Sequence, residues 1–212
     1  MKPIHPILYL ATGNPHKVDE FAQLLAGLPI SLESANALGG MPVVDETAKT
    51  FEGNALLKAQ ALYRQAPRGT WVMADDSGLE TDALGGGPGV LSARFAGDNA
   101  SDADNCALLL QQMQATASAE RSARFRCVLA LLGPNSSKAL FFSGACEGTI
   151  ASKPTGMGGF GYDPLFIPTG YQASFAALAP EIKASISHRA EAIKKFCDWL
   201  KHFLNVSTPF PS

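Results

Sequence analysis

The chain reads as an α/β protein with a mixed, twisted β-sheet and helices on both faces. Short apolar runs alternate with amphipathic helical patterns through the first half. Two longer strand-like runs, 123–132 and 139–149, then flank Gly133-Pro134-Asn135-Ser136-Ser137, a hairpin signal. With 212 residues, 46% hydrophobic and 17% charged, the chain can bury a substantial core of ordinary composition.

Residues 7–11 form a short apolar strand, followed by the turn Thr12-Gly13-Asn14-Pro15. A helix starts near His16 with Val18, Phe21, Leu24 and Leu25 on one face. Ile30-Ser31-Leu32 is a second strand, and 34–46 is a loop carrying Gly39-Gly40, Pro42 and the acids Asp45-Glu46. A helix from Thr50 to Tyr63 places Ala55, Ala59 and Leu62 on one stripe. Residues 70–74 make a strand that ends on Asp75-Asp76 and turns at Ser77-Gly78. Gly85-Gly86-Gly87-Pro88-Gly89 is a loop, and Ala103 to Ala115 is a helix. After the hairpin, Gly156 to Pro164 is a second Gly-rich loop. The last helix begins near His188, capped by Ser187, and buries Ile193, Phe196, Leu200 and Phe203. No repeat or linker divides the chain, so 1–205 is expected as one domain and 206–212 as a loose tail.

A net charge of −2 gives no broad phosphate-neutralising surface, which argues against a nucleic-acid polymer as partner. Cys106, Cys127, Cys146 and Cys197 are widely spaced with no C-x-x-C, as expected of free thiols in a reducing compartment. The apolar run at 7–11 is too short for a signal segment, and no run reaches membrane-spanning length. The expected location is the cytoplasm, away from membranes.

Asp75-Asp76 is the most informative pair. Two adjacent buried carboxylates repel unless a cation or a shared proton relieves them. Mg²⁺, a hard ion with oxygen ligands that often holds phosphates, is the simplest cation. An Asp pair in a solvated turn is the alternative. Thr12-Gly13-Asn14-Pro15-His16-Lys17 sits where a strand hands over to a helix, where N–H groups and a lysine suit an anion. It lacks the Walker A pattern, and a plain capped turn is the other reading. Asp45 and Glu46 either precede a helix start or lend a second arm to a metal on Asp76. Gly156-Met157-Gly158-Gly159-Phe160-Gly161 satisfies G-x-G-x-x-G, but Tyr162-Asp163-Pro164 follows at once and blocks the helix a dinucleotide fold needs. The loop is expected instead to offer Phe160 and Tyr162 to a flat ligand, base stacking being worth about 1–3 kcal/mol; a core aromatic is the alternative. His188-Arg189 at a helix start runs against the dipole preference for anions, which hints at function, as does Lys183 nearby.

Taken together these parts resemble the inosine/xanthosine triphosphate pyrophosphatases. The resemblance is carried in order by Ala11-Thr12-Gly13-Asn14 with Lys17, Phe51-x-x-Asn54-Ala55 with Lys58-Ala59, and Ala74 to Leu79. It continues through Leu84-Gly85-Gly86-x-Pro88-Gly89 with Ser92-Ala93-Arg94, Gly158 to Pro164, and Lys183 with Ser187-His188-Arg189. It implies two lobes around a central nucleotide cleft and Mg²⁺-dependent hydrolysis of ITP, dITP and XTP to monophosphate and pyrophosphate by a homodimer. Thr12, Gly13, Asn14, Pro15, His16 and Lys17 would grip the triphosphate. Asp76 would accept the proton and hold the metal with Asp45 or Glu46, Asp75 being a supporting acid. Ser77, Phe160, Gly161, Tyr162, Asp163, Lys183, His188 and Arg189 would contact the nucleotide. Leu91 stands where many bacterial members have Tyr. A non-catalytic nucleotide-binding module and a pyrophosphatase for pyrimidine or modified nucleotides are the competing classes.

Overall fold

A computed structural model describes residues 6–117, 120–134 and 138–204. Asn135 to Ser137 of the expected hairpin turn, and the expected tail 206–212, lie outside the described residues. The strands are β1 (Ile7–Leu10), β2 (Ser31–Ser34), β3 (Trp71–Thr81), β4 (Ser122–Leu132), β5 (Ala139–Ile150) and β6 (Phe166–Pro168). The α-helices are α1 (Pro15–Leu24), α2 (Phe51–Tyr63), α3 (Asp102–Gln112), α4 (Pro180–Ile186) and α5 (His188–Leu204).

The sheet runs β2-β1-β3-β4-β5-β6. β1 pairs in parallel with β2 and β3, and β5 pairs antiparallel with β6, so the sheet is mixed as the sequence predicts. The chain divides into two compact units. The first takes in the chain up to Asp76, Val128–Ser143 and the chain from Ala192 on; the second takes in Ser77–Cys127 and Gly144–Glu191.

In the first unit the pleat sorts residues by face. Tyr9, Ala11, Val72 and Ala74 share a buried cluster with Ala55, Ala59 and Leu62 of α2. Leu8 and Trp71, from the opposite face, line a small cavity with Phe196, Trp199 and Leu200 of α5. Helices therefore cover both faces. The α2 start is fixed by Thr50, whose hydroxyl accepts the Gly53 N–H at 3.1 Å.

In the second unit Leu79, Leu109, Met113, Phe125, Tyr162, Leu165, Phe166 and Phe175 form the core. Ser101 and Asp104 make a reciprocal capping box at the start of α3. Among the described residues no carboxylate pairs with the guanidinium of buried Arg121. It donates to the carbonyls of Met113, Ile150 and Ala151 at 2.9, 2.8 and 3.0 Å, tying the end of α3 to the end of β5.

The acid strand departs from its expected shape. β3 does not end at Ala74 and turn at Ser77-Gly78; it continues unbroken to Thr81. Asp, Ser and Gly are poor strand formers, which suggested a turn. Leu79 and Thr81, both fully buried, override that preference by holding the segment extended. β6, three residues long, and α4, seven residues long, are too short to leave a periodicity in the sequence.

Candidate active site

The acids lie midway along β3, just past its pairing with β1, which ends at Met73. Asp75 is 1% and Asp76 6% exposed. Alternation sends the two side chains to opposite faces, and each meets its own lysine. Lys17 of α1 places its ammonium 2.9 Å from Asp75 Oδ2. Lys58 of α2 places its ammonium 2.7 Å from Asp76 Oδ1 and 3.1 Å from Glu46 Oε2. Asn54, one turn before Lys58, donates to Asp76 Oδ2 at 3.4 Å, and its Oδ1 accepts the Ala48 N–H at 3.0 Å. Repulsion between the adjacent acids is thus relieved by two ammonium groups.

Burial pushes the Asp76 carboxyl up to about 6, although Lys58 and Lys17 pull it down. Burial also acts against charge on Lys58, yet Asp76, Asp75 and Glu46 together hold its ammonium above the usual lysine value. The lysine is therefore held firmly charged, while its partner takes up a proton more readily than an ordinary aspartate.

The turn before α1 adopts the capped form. Asn14 Oδ1 accepts the N–H groups of His16 and Lys17 at 2.9 and 3.4 Å, and Thr12 Oγ1 accepts the Asn14 N–H at 3.2 Å. Pro15 occupies the first helical turn and His16 is exposed. Gly13 has a negative φ and room for a Cβ, 3.8 Å from Met41 Cβ, so no local strain requires glycine there.

The second unit carries its own constellation. Asp163 Oδ2 accepts the Lys183 ammonium at 2.6 Å and the Phe160 N–H at 2.9 Å. The same ammonium stands over the Phe160 ring, 4.8 Å from its centroid. A Cβ on Gly159, where φ is +73°, would lie 2.0 Å from Asp163 Oδ2, so this approach requires glycine. Gly161 donates its N–H to Asp102 Oδ2 at 2.6 Å, and its carbonyl accepts the Cys106 thiol at 3.4 Å. Arg189, 1% exposed, donates from Nη2 to Ser77 Oγ at 3.0 Å. His188, 5% exposed, stacks on Phe125. Both side chains are buried.

Tyr162 corrects the aromatic shelf. The sequence suggests that the loop offers both rings; instead the Tyr162 ring is 4% exposed in the core, and its hydroxyl donates to the Ser92 carbonyl at 2.9 Å. Phe160 alone is half-buried. An apolar environment for the ring, with one carbonyl in reach of its hydroxyl, drew Tyr162 inward.

The model of the Ham1 family matches residues 8–199. The chain belongs to the Ham1 family. A dITP/XTP pyrophosphatase of Opitutus terrae is 45% identical, covering 91% of this chain and 97% of the relative. One from Geobacter sulfurreducens is 46% identical over 91% and 96%. A HAM1 protein structure from Coxiella burnetii superposes with a TM-score of 0.83 at 38% identity, covering 93% of this chain and 99% of that one. The Ham1 protein of Staphylococcus aureus gives 0.82 at 36% identity, covering 93% and 99%.

Within this Ham1 chain the structure gathers Lys17, Glu46, Asp75 and Asp76 in the first unit. Ser77, Phe160, Gly161, Asp163, Lys183, His188 and Arg189 lie in the second. Asp76 and Ser77 are consecutive. Glu46 joins the Asp76 cluster through Lys58, while Asp45 is exposed. Lys58 and Asn54 carry no role in the sequence reading although both stand in a quoted motif. The signal was their spacing: i and i+4 polar residues running alongside the Ala55, Ala59, Leu62 stripe of α2.

Among the described residues no group of three or more His, Cys, Asp or Glu side chains is arranged to hold a metal. The donor set nevertheless suits Mg²⁺. Carboxylate oxygens of Asp76 and Glu46 converge on one cation, the Lys58 ammonium. Mg²⁺ takes one or two protein carboxylates and completes its shell with water and phosphate oxygens.

Proposed function

We propose that the protein hydrolyses non-standard purine nucleoside triphosphates, ITP, dITP and XTP, to the monophosphate and pyrophosphate. The 45% identity to the Opitutus terrae dITP/XTP pyrophosphatase, nearly end to end, carries this reading. The buried acid–lysine cluster and the buried His188-Arg189 pair support it chemically.

In this reading the attacking water meets Asp76, which accepts its proton; a carboxyl pushed up to about 6 is suited to that role. Attack falls on the α-phosphorus and pyrophosphate leaves. Lys58 and Lys17 supply positive charge where it accumulates. The Thr12 to Lys17 turn grips the triphosphate. Asp76 and Glu46 would hold Mg²⁺, which when bound offsets phosphate charge and orients it. His188 and Arg189 direct N–H groups to the purine 6-carbonyl, and an adenine amino group there leaves buried donors unpaired. Phe160 and Lys183 border the base. The enzyme acts as a homodimer in the cytoplasm, where such nucleotides arise.

A panel of dITP, XTP, GTP, ATP and UTP, assayed for pyrophosphate with and without Mg²⁺, tests the reading. Pyrophosphate from dITP and XTP, far above ATP and dependent on Mg²⁺, is expected. Release of orthophosphate, or binding without product, overturns it. Light scattering of the purified protein checks the dimer.

A further inference from the structure

Phe125 takes no part in the reaction as described above, yet it touches one of its recognition groups. Alternation along β4 turns it inward, and it is 7% exposed. Its ring lies on the His188 imidazole with centroids 4.8 Å apart and planes 15° apart. The Phe125 ring is itself held in place. Phe166 meets it at 4.7 Å and 58°, and Phe175 at 6.1 Å and 24°. Phe166 and Phe175 contact each other at 5.2 Å. Phe175 also lies 5.8 Å from the Lys183 ammonium, so one aromatic wall stands behind two of the groups assigned to the base.

The ring nitrogens of a histidine give and take hydrogen bonds only in the plane of the ring. A parallel neighbour in a close-packed wall restricts rotation of that plane. His188 begins α5, where Ser187 caps the first turn by accepting the Ala190 N–H at 3.1 Å. The backbone and the stacked ring together fix the plane of the imidazole.

We propose that Phe125 is a positioning residue for base selection: by fixing the plane of His188 it makes the site prefer a 6-oxopurine over a 6-aminopurine. This rests on the pyrophosphatase reading above. Selectivity is the ratio of kcat/KM for dITP to that for dATP. Phe125→Leu keeps the volume apolar but removes the flat face, and it should lower this ratio about fivefold to tenfold. The loss should come mainly through KM for dITP. Phe125→Tyr, which keeps the face, should restore most of the ratio. His188→Ala should lower the ratio, and adding Phe125→Leu to it should lower it no further. An equal additional drop in the double variant overturns the proposal, because Phe125 would then act independently of His188.

One readout is free of activity. The His188 Cε1–H signal should lie upfield from the Phe125 ring current and return downfield in Phe125→Leu, or in Phe125→Ile if the Leu variant does not fold. An undisplaced signal in the unaltered protein also overturns the proposal. If the unaltered protein releases no pyrophosphate while the ring-current shift is present, the functional reading fails and the stacking stands.

Discussion

Lys58 on α2 and Asp76 on β3 stand 2.7 Å apart, eighteen positions from each other in the chain and both nearly buried. This contact organises the acid cluster, because the same ammonium reaches Glu46. Replacing Asp76 by Asn keeps the shape but removes the proton acceptor. Turnover of dITP should fall about a hundredfold or more. Circular dichroism should show an unaltered fold, since Lys58 keeps Glu46. Near-normal turnover would remove Asp76 from the mechanism.

Removal of Lys58 has the opposite balance. Lys58→Met leaves Asp76 and Glu46 facing each other without their cation, and breaking a buried pair from one side costs about 3 kcal/mol. Urea unfolding should register that loss. Mg²⁺ should restore part of it in the variant and raise the midpoint more there than in the parent. No difference in Mg²⁺ response would detach the two carboxylates from the metal.

The pH dependence follows from the raised Asp76 carboxyl. Its folded value, about 6, lies above the ordinary aspartate value, so the fold disfavours the ionised form. In the metal-free protein this group therefore costs no stability below the ordinary range. The cost appears as pH rises towards 6 and is constant above it. Protons and Mg²⁺ compete for the same oxygens, so apparent Mg²⁺ affinity should weaken as pH falls through about 6. Carboxyl-detected NMR of the metal-free protein measures the first effect, and calorimetry with Mg²⁺ the second. Titration of Asp76 near 4 would contradict both.

Tyr162→Phe separates the core role of this residue from a ligand role. The buried Ser92 carbonyl loses the hydroxyl at 2.9 Å, which should destabilise the protein by about 1 kcal/mol. KM for dITP should stay within about twofold of the parent value. A larger rise would give the hydroxyl a part in binding that its burial does not suggest.

Gly159→Ala tests the neighbouring clamp. A Cβ there would meet Asp163 Oδ2, and the residue sits at φ +73°. Asp163 must shift, losing the Phe160 N–H and the Lys183 ammonium. KM for dITP should rise about tenfold with a smaller change in kcat. An unchanged KM would free this loop from nucleotide binding.

The sequence made α1, α2, α3, α5 and the central strands legible because each has a clear period or a capping residue, such as Asn14, Thr50 or Ser187. It could not reveal that β3 continues through Asp75 and Asp76. Local preference there favours a turn, and only the tertiary burial of Leu79 and Thr81 outweighs it. The acids were legible as a site but not their partners. Which lysine meets which carboxylate depends on the faces of β3, and those depend on a register the chain does not spell out. Phe160 and Tyr162 looked alike in one loop, and only packing distinguishes the half-buried ring from the core one.

The division of the chain has a consequence for how such a gene can change. The polypeptide passes between the two compact units four times, at residues 76/77, 127/128, 143/144 and 191/192. No single crossover can exchange one unit intact, and a stop codon anywhere before residue 192 removes material from both.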